Sequence, residues 1–162
     1  MIRLCGILNV TPDSFSDGGD WLDRGAAIGR AREMINEGAQ LIDIGGDSTR
    51  PGSRCAGQAE EWCRIGGLIR PLSELSRVSV DTHIAETARL SLQDGANFIN
   101  DISAGSDSRM FEVVSSFDGG IVLMHSVCPE PHVFPPEYPS GDLAGRILDF
   151  LSNKLDMALR AG

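Results

Sequence analysis

Two polar loops hold the side chains of this 162-residue chain best suited to chemistry. The first runs Gly6-Ile-Leu-Asn-Val-Thr-Pro-Asp-Ser-Phe-Ser-Asp-Gly-Gly19, the second Asp43-Ile-Gly-Gly-Asp-Ser-Thr-Arg-Pro-Gly52. Each leaves an apolar run and breaks into hydroxyls, carboxylates and glycines, a composition able to wrap an anion through backbone N–H groups and close over it. The same residues could also form plain β/α turns with an Asp or Ser cap. Further along, Asp81 ends the run Ser79-Val-Asp-Thr82, and Asn100 lies in Phe98-Ile-Asn-Asp-Ile102. A carboxylate beside Val78 and Val80 is partly buried and needs hydrogen-bond donors. The N–H and NH₂ of an aminopyrimidine edge would supply two in a row, and Asn100 offers a donor and an acceptor to another edge of the same ring. Alternatively, Asp81 caps the helix beginning near Ile84 and Asn100 satisfies loop backbone.

Other chemistries fit less well. Asp13, Asp17, Asp20 and Asp23 lack the EF-hand spacing and its final Glu. Cys5, Cys55, Cys63 and Cys128 form no Cys-x-x-Cys pair and have no His at zinc-ligand spacing, so reduced thiols are expected. Cys5 and Met124 fall inside strand candidates and read as core, while Trp21 and Trp62 read as helix packing. Phe15, inside the first loop, is better placed to stack on an aromatic ring. His125 could meet a leaving phosphate or bond a neighbouring loop. No Ser-His-Asp or Cys-His arrangement is evident.

These side chains must be positioned by an alternating pattern of short apolar runs and longer amphipathic stretches. Strands are expected at Leu4–Val10, Leu41–Gly45, Val78–Val80, Asn97–Ile102 and Ile121–Met124. Helices are expected at Trp21–Gly38, Gly57–Ser76, Ile84–Asp94, Arg109–Phe117 and Asp142–Ala161, with Gly38 and Gly95 as stops. In the second helix Gly66, Gly67 and Pro71 are interruptions, and the proline should bend or end it. The five-proline stretch from Cys128 to Pro139 reads as irregular loop. Strands that look apolar on both faces, about 20 to 40 residues apart, predict a parallel sheet covered by helices. The residues ending the five strands are Asn9, Gly45 to Asp47, Asp81, Asn100 with Asp101, and His125. In such a sheet they emerge on one edge, and in a barrel they converge on one mouth.

With 41% hydrophobic residues the chain can supply a core, and its length suits a single domain over 1–162. A net charge of −9 argues against nucleic-acid or anionic-membrane partners, so any phosphate must be attracted locally. No run approaches 18 apolar residues, and Met1-Ile-Arg-Leu is too short and mixed for a signal peptide, which favours the cytoplasm.

The two loop strings, with Ser79-Val-Asp-Thr82 and Phe98-Ile-Asn-Asp-Ile102, resemble the first half of the dihydropteroate synthase family. The resemblance implies an α/β fold, a TIM-type (β/α)8 barrel represented by about five β/α units. It implies condensation of 6-hydroxymethyl-7,8-dihydropterin diphosphate with p-aminobenzoate. Asn9 would bind Mg²⁺. Thr49, Asp81 and Asn100 would contact the pterin diphosphate, and Phe15, Thr49, Arg50 and Pro51 would line the p-aminobenzoate site. Met124 would border the pterin pocket, and Thr11, Asp13, Ser14 and Arg50 would form the catalytic group of the two loops.

Three departures from the family pattern stand out. Asp47 replaces the usual Glu, Ser126-Val-Cys-Pro-Glu-Pro131 replaces the usual Met-Gln-Gly, and the pattern stops after five of eight units. A homodimer would then form through the part of the pattern that is absent. The first and fifth strands should be unpaired edges, and the isolated chain is expected to be inactive or aggregation-prone. Two other readings share the fold and ring recognition: a barrel of the methyltetrahydrofolate:corrinoid methyltransferase type, and a non-catalytic pterin-binding module.

Overall fold

In a computed structural model, the chain is described over residues 2–11, 24–47, 55–126 and 141–162. β1 (Leu4–Asn9), β2 (Ala39–Gly45), β3 (Arg77–Asp81), β4 (Phe98–Asp101) and β5 (Gly120–Leu123) alternate with five helices. These are α1 (Arg24–Asn36), α2 (Gln58–Ser73), α3 (Ala85–Gln93), α4 (Met110–Ser116) and α5 (Leu143–Ala161). The strands form one parallel sheet in the order β1-β2-β3-β4-β5. Among the described residues β1 and β5 are therefore open edges, as the five-unit pattern predicts.

The sheet has two unlike faces. Leu8, Ile42, Ile44, Val78, Val80 and Ile99 alternate onto the face that meets the helices, where all are buried. They pack against Ile65, Leu68, Ile69 and Leu72 of α2, Ala27 and Ala31 of α1, and Ala88 and Leu92 of α3. The period of two then sends Cys5, Ile7, Asn9, Asp43, Asp81 and Asn100 to the opposite face. The expectation of strands apolar on both faces is thus corrected, since the second face is polar along its centre. Cys5, expected in the core, is exposed, as is Met124, one residue beyond β5.

Helix ends follow local chemistry. Gly38 and Gly95 take φ of +110° and +102°, closing α1 and α3 where an L side chain would be strained. α2 runs through Gly66 and Gly67 and ends at Ser73, two residues past Pro71. A proline so near the C-terminus removes one intrahelical bond, and the buried face from Ile65 to Leu72 outweighs that loss. α3 starts under two acceptors: Ile84 N–H donates to Thr82 Oγ1 at 3.2 Å and Ala85 N–H to Asp107 Oδ2 at 3.2 Å. Asp107 also accepts from Arg109, whose guanidinium is the main reason its carboxyl falls to about 2.

α5 contributes no buried residue, and Leu148, Leu155 and Leu159 are 66%, 53% and 69% exposed. Ile7 on the β1 edge is 65% exposed. Open strand edges beside exposed leucines favour association. Sedimentation velocity on the 162-residue chain should show concentration-dependent self-association, weakened by the double substitution Leu148→Glu, Leu155→Glu without loss of helical circular dichroism. A separate prediction concerns the bond from Asp107 to the start of α3. Asp107→Ala should cost about 1 kcal/mol in denaturant unfolding, the usual worth of an N-terminal helix acceptor.

Candidate functional site

Parallel register places the strand ends side by side. Asn9 is opposite Gly45, Gly45 opposite Asp81, and Asp81 opposite Asn100. These three strand steps span roughly 14 Å at about 4.8 Å each. The gap at Gly45 keeps the row open: a Cβ there would sit 3.4 Å from Asp81 Cβ and 3.8 Å from Asn9 Oδ1. Three of the side chains expected to meet at one rim do so.

The capping alternatives raised by the sequence are answered by specific bonds. Thr82 and Asp107, not Asp81, hold the start of α3. Asp101, fully buried, satisfies the β4–α4 loop by accepting from Ser103 N–H (2.8 Å), Ser103 Oγ (2.6 Å) and Gly105 N–H (2.7 Å). Asn100 is left to face the sheet, where its Nδ2 donates to Asp43 Oδ2 at 3.1 Å. Neither Asp43 Oδ1 nor Asp81 Oδ1 has a hydrogen-bond partner among the described residues. A buried carboxylate oxygen without a donor is costly, and a ligand with N–H groups would relieve it.

Electrostatics sharpen this picture. Burial, then the charge of Asp43, then those of Glu61, Asp101 and Asp47, raise the Asp81 carboxyl to about 7. Burial likewise lifts Glu61 to about 6. The site is thus short of positive charge and rich in acceptors.

The base of the second loop is also anchored. Ala56 N–H donates to Asp47 Oδ1 at 3.1 Å, which ties residue 47 to residue 56. Arg64 reaches back from α2 to Gly46 O at 2.5 Å and also pairs with Glu60. Gly46 is needed for that approach, because a Cβ would meet Glu61 O and Ile65 Cγ2 at 2.9 Å. Thr11 is buried at the exit of β1. His125 packs edge-on against Phe150 of α5, with ring centroids 5.0 Å apart.

Asp13, Ser14, Phe15, Thr49, Arg50, Pro51 and the Pro-rich segment 128–139 lie outside the described residues. Two acidic residues escaped the sequence reading. Asp43 interrupts the apolar run Leu41-Ile-Asp-Ile-Gly45 at the same alternate position that Asp81 holds, and that was the available signal. Glu61 falls on the apolar face of α2, four residues before Ile65. Among the described residues no group of three His, Cys, Asp or Glu could hold a metal, and no helix is long and apolar enough to cross a membrane.

A five-strand parallel β/α sheet with a carboxylate–amide row at its strand ends has the frame of a β/α barrel. The pterin binding enzyme family matches residues 5–162, and the chain belongs to that family. Within it, the chain is 39% identical over 162 residues to a dihydropteroate synthase of Streptococcus pyogenes, covering 98% of this chain and 58% of that protein. It is 42% identical over 160 residues to the dihydropteroate synthase of Bacillus subtilis, covering 97% and 53%. The crystal structure of the Clostridium difficile dihydropteroate synthase in the presence of pteroic acid superposes with a TM-score of 0.89 at 34% identity, covering 99% of this chain and 59% of that one. A Xanthomonas albilineans dihydropteroate synthase with 4-aminobenzoic acid gives 0.85 at 36% identity, covering 99% and 57%. The chain thus spans somewhat more than half the length of these relatives, and its sheet is a partial TIM-type barrel.

The raised carboxyls set a pH dependence. Asp81 keeps its proton in the folded chain up to about 7, whereas the unfolded group releases it near 3.8. Its contribution to stability is full below 3.8 and is lost as the pH rises through 7, by about 4 kcal/mol at most. Denaturant unfolding should show a less stable fold at pH 8 than at pH 5. Asp81→Asn should remove most of that difference by stabilising the chain at pH 8.

Proposed function

We propose that the row Asn9, Asp81 and Asn100 binds the ring and diphosphate of 6-hydroxymethyl-7,8-dihydropterin diphosphate, in the service of dihydropteroate synthase chemistry in folate biosynthesis. The observation that carries this reading is the buried, unpartnered Asp81 Oδ1 in register with Asn100. A pterin presents adjacent N–H and NH₂ donors to such a carboxylate, and its polar edge suits the Asn100 amide. Asp43 holds that amide from behind. Residues 1–162 act here as one pterin-binding unit, and the reaction is cytoplasmic.

In the condensation the C–O bond to diphosphate breaks, the amine nitrogen of p-aminobenzoate forms a C–N bond at the exocyclic carbon, and the proton that this nitrogen sheds leaves to the departing diphosphate or to water. Asp81 and Asn100 hold the ring so that it can delocalise the developing cation. Thr11, Asp13, Ser14 and Arg50 belong to the loops that meet the diphosphate and exclude water. Phe15, Thr49, Arg50 and Pro51 line the path of the aromatic amine, and Met124 borders the ring. The Asn9 carbonyl, exposed on β1 at the end of the row, is a suitable oxygen ligand for Mg²⁺, an ion that takes few protein ligands and fills its shell with water and phosphate. When bound there, Mg²⁺ supplies charge neutralisation at the diphosphate.

The open β1 and β5 edges favour a second reading, in which these 162 residues bind the pterin without turning it over. The homodimer that the resemblance implies would use surface beyond the five units, distinct from any association through the open edges.

Calorimetric titration with 6-hydroxymethylpterin and its diphosphate tests ring recognition. Asp81→Ala should weaken both ligands on the order of a hundredfold, as removal of a buried charge-assisted pair does. Asn9→Ala should lower affinity for the diphosphate only when Mg²⁺ is present. A wild-type chain that prefers methyltetrahydrofolate, or an Asp81→Ala chain that binds like wild type, would overturn the assignment. Dihydropteroate formation is expected only after a polypeptide carrying the remaining β/α units of a relative is added.

A further inference from the structure

Glu61 is 1% exposed, lies on the helix face that packs on the sheet, and among the described residues makes no ion pair, although the Arg64 charge lies near enough to favour its ionised form. Its Oε2 accepts the Thr82 hydroxyl at 3.0 Å, and Thr82 Oγ1 in turn accepts Ile84 N–H at 3.2 Å. Thr82 N–H donates to Asn100 O at 3.2 Å. One threonine thus joins three elements: α2 through Glu61, the start of α3 through Ile84, and the end of β4 through Asn100. It directly follows Asp81 in the chain. On its other side, Glu61 abuts the root of the second loop, its Cγ 3.3 Å from where a Gly46 Cβ would stand.

We propose that Glu61 is a positioning residue that, through Thr82, fixes Asp81 and Asn100 relative to the Gly46–Asp47 root of the second loop. The effect on ligand affinity rests on the pterin-binding reading above, whereas the tether itself does not. A carboxyl is costly at this depth and an apolar residue would pack the α2 face more simply. A purely structural role would need only the volume of the side chain. Two threonine hydroxyls, Thr87 and Thr82, face the carboxyl and favour its ionised form, and of the two the Thr82 contact, at 3.0 Å, is the one that meets hydrogen-bond geometry.

The test uses the full 162-residue chain and reads two quantities: amide hydrogen exchange and affinity for 6-hydroxymethylpterin. In Glu61→Leu and in Thr82→Val, exchange at the Thr82 and Ile84 amides should accelerate about tenfold or more while Val80 and Ile99 keep their protection, because a charged hydrogen bond is lost locally. Pterin affinity should fall about tenfold in each, and the double variant should fall no further than Thr82→Val alone, since that variant already lacks the Glu61 bond along with the acceptor for Ile84 N–H. Thr82→Ser keeps the hydroxyl and should restore both readouts to within about twofold of wild type. If the apolar variants fail to fold, Glu61→Asp decides, because a carboxylate one methylene short should open the same two amides while Thr82→Ser does not. Unchanged exchange at Thr82 and Ile84 would overturn the tether, whatever the pterin does. Unchanged pterin affinity in variants with opened amides would overturn the positioning role. A wild-type chain that binds no pterin but shows the exchange pattern would instead sink the pterin-binding reading and leave the tether standing.

Discussion

Parallel register is the constraint on which the site depends. Side chains alternate across a strand, so burying Ile42, Ile44, Val78, Val80 and Ile99 under the helices forces Asp43, Asp81 and Asn100 onto the other face. A slip of one residue between β2 and β3 would bring Asp81 into the helix layer and send Val80 to the open face. The aliphatic core thus specifies the position of the polar row. No loop is needed to bring Asp81 beside Asn100, and rigid elements hold a binding site better than loops do.

That row is held against an electrostatic cost. Asp43, Asp47, Glu61, Asp81 and Asp101 gather around the ends of β2, β3 and β4, and four of them act to raise the carboxyl of the fifth, Asp81. Asp101 is satisfied by three short bonds, whereas Asp43, Glu61 and Asp81 each keep one buried oxygen without a donor among the described residues. Asp81 stands apart because the other four carboxyls all raise it, and such a cluster marks where structure gives way to function. On the proposed reading, a chain of net charge −9 could still take an anionic ligand, because the ring would be held by acceptors and the phosphate end met elsewhere.

Much of this was legible in the sequence because it follows local rules. The helix stops at Gly38 and Gly95 follow from backbone sterics, and the strand ends at Asn9, Asp81 and Asn100 from the shift of apolar run to polar turn. What escaped depends on partners distant in sequence. α2 looks interrupted in sequence, yet Gly66, Gly67 and Pro71 are carried by a buried face whose partners lie on the sheet. Cys5 lies in an apolar run and so looks like core, but which face of an edge strand is covered is a property of the assembled layers. Asp43 and Glu61 are hidden in the sequence for a related reason. An acidic residue within an apolar pattern looks like noise until its partner, Asn100 or Thr82, is brought beside it from another element.

The sheet also divides into a finished centre and unfinished flanks, and the site sits in the centre. β2, β3 and β4 each have a strand on both sides and helices over their buried face, so Asp43, Asp81 and Asn100 rest on complete packing. β1 has one neighbour and bears the exposed Ile7, and α5, which packs on α4, has no buried residue of its own. Local stability should follow that gradient, since opening costs least where few apolar contacts must be broken. Asn9, on the edge strand, lies at the weak end of the row, while Asp81 and Asn100 lie at the strong end. On the proposed pterin-binding reading, ring recognition would belong to the centre that these five units complete, and the diphosphate end would depend on how firmly β1 is held. Ligand affinity would then be set by β3 and β4 and be separable from turnover, which would depend on what steadies the edges.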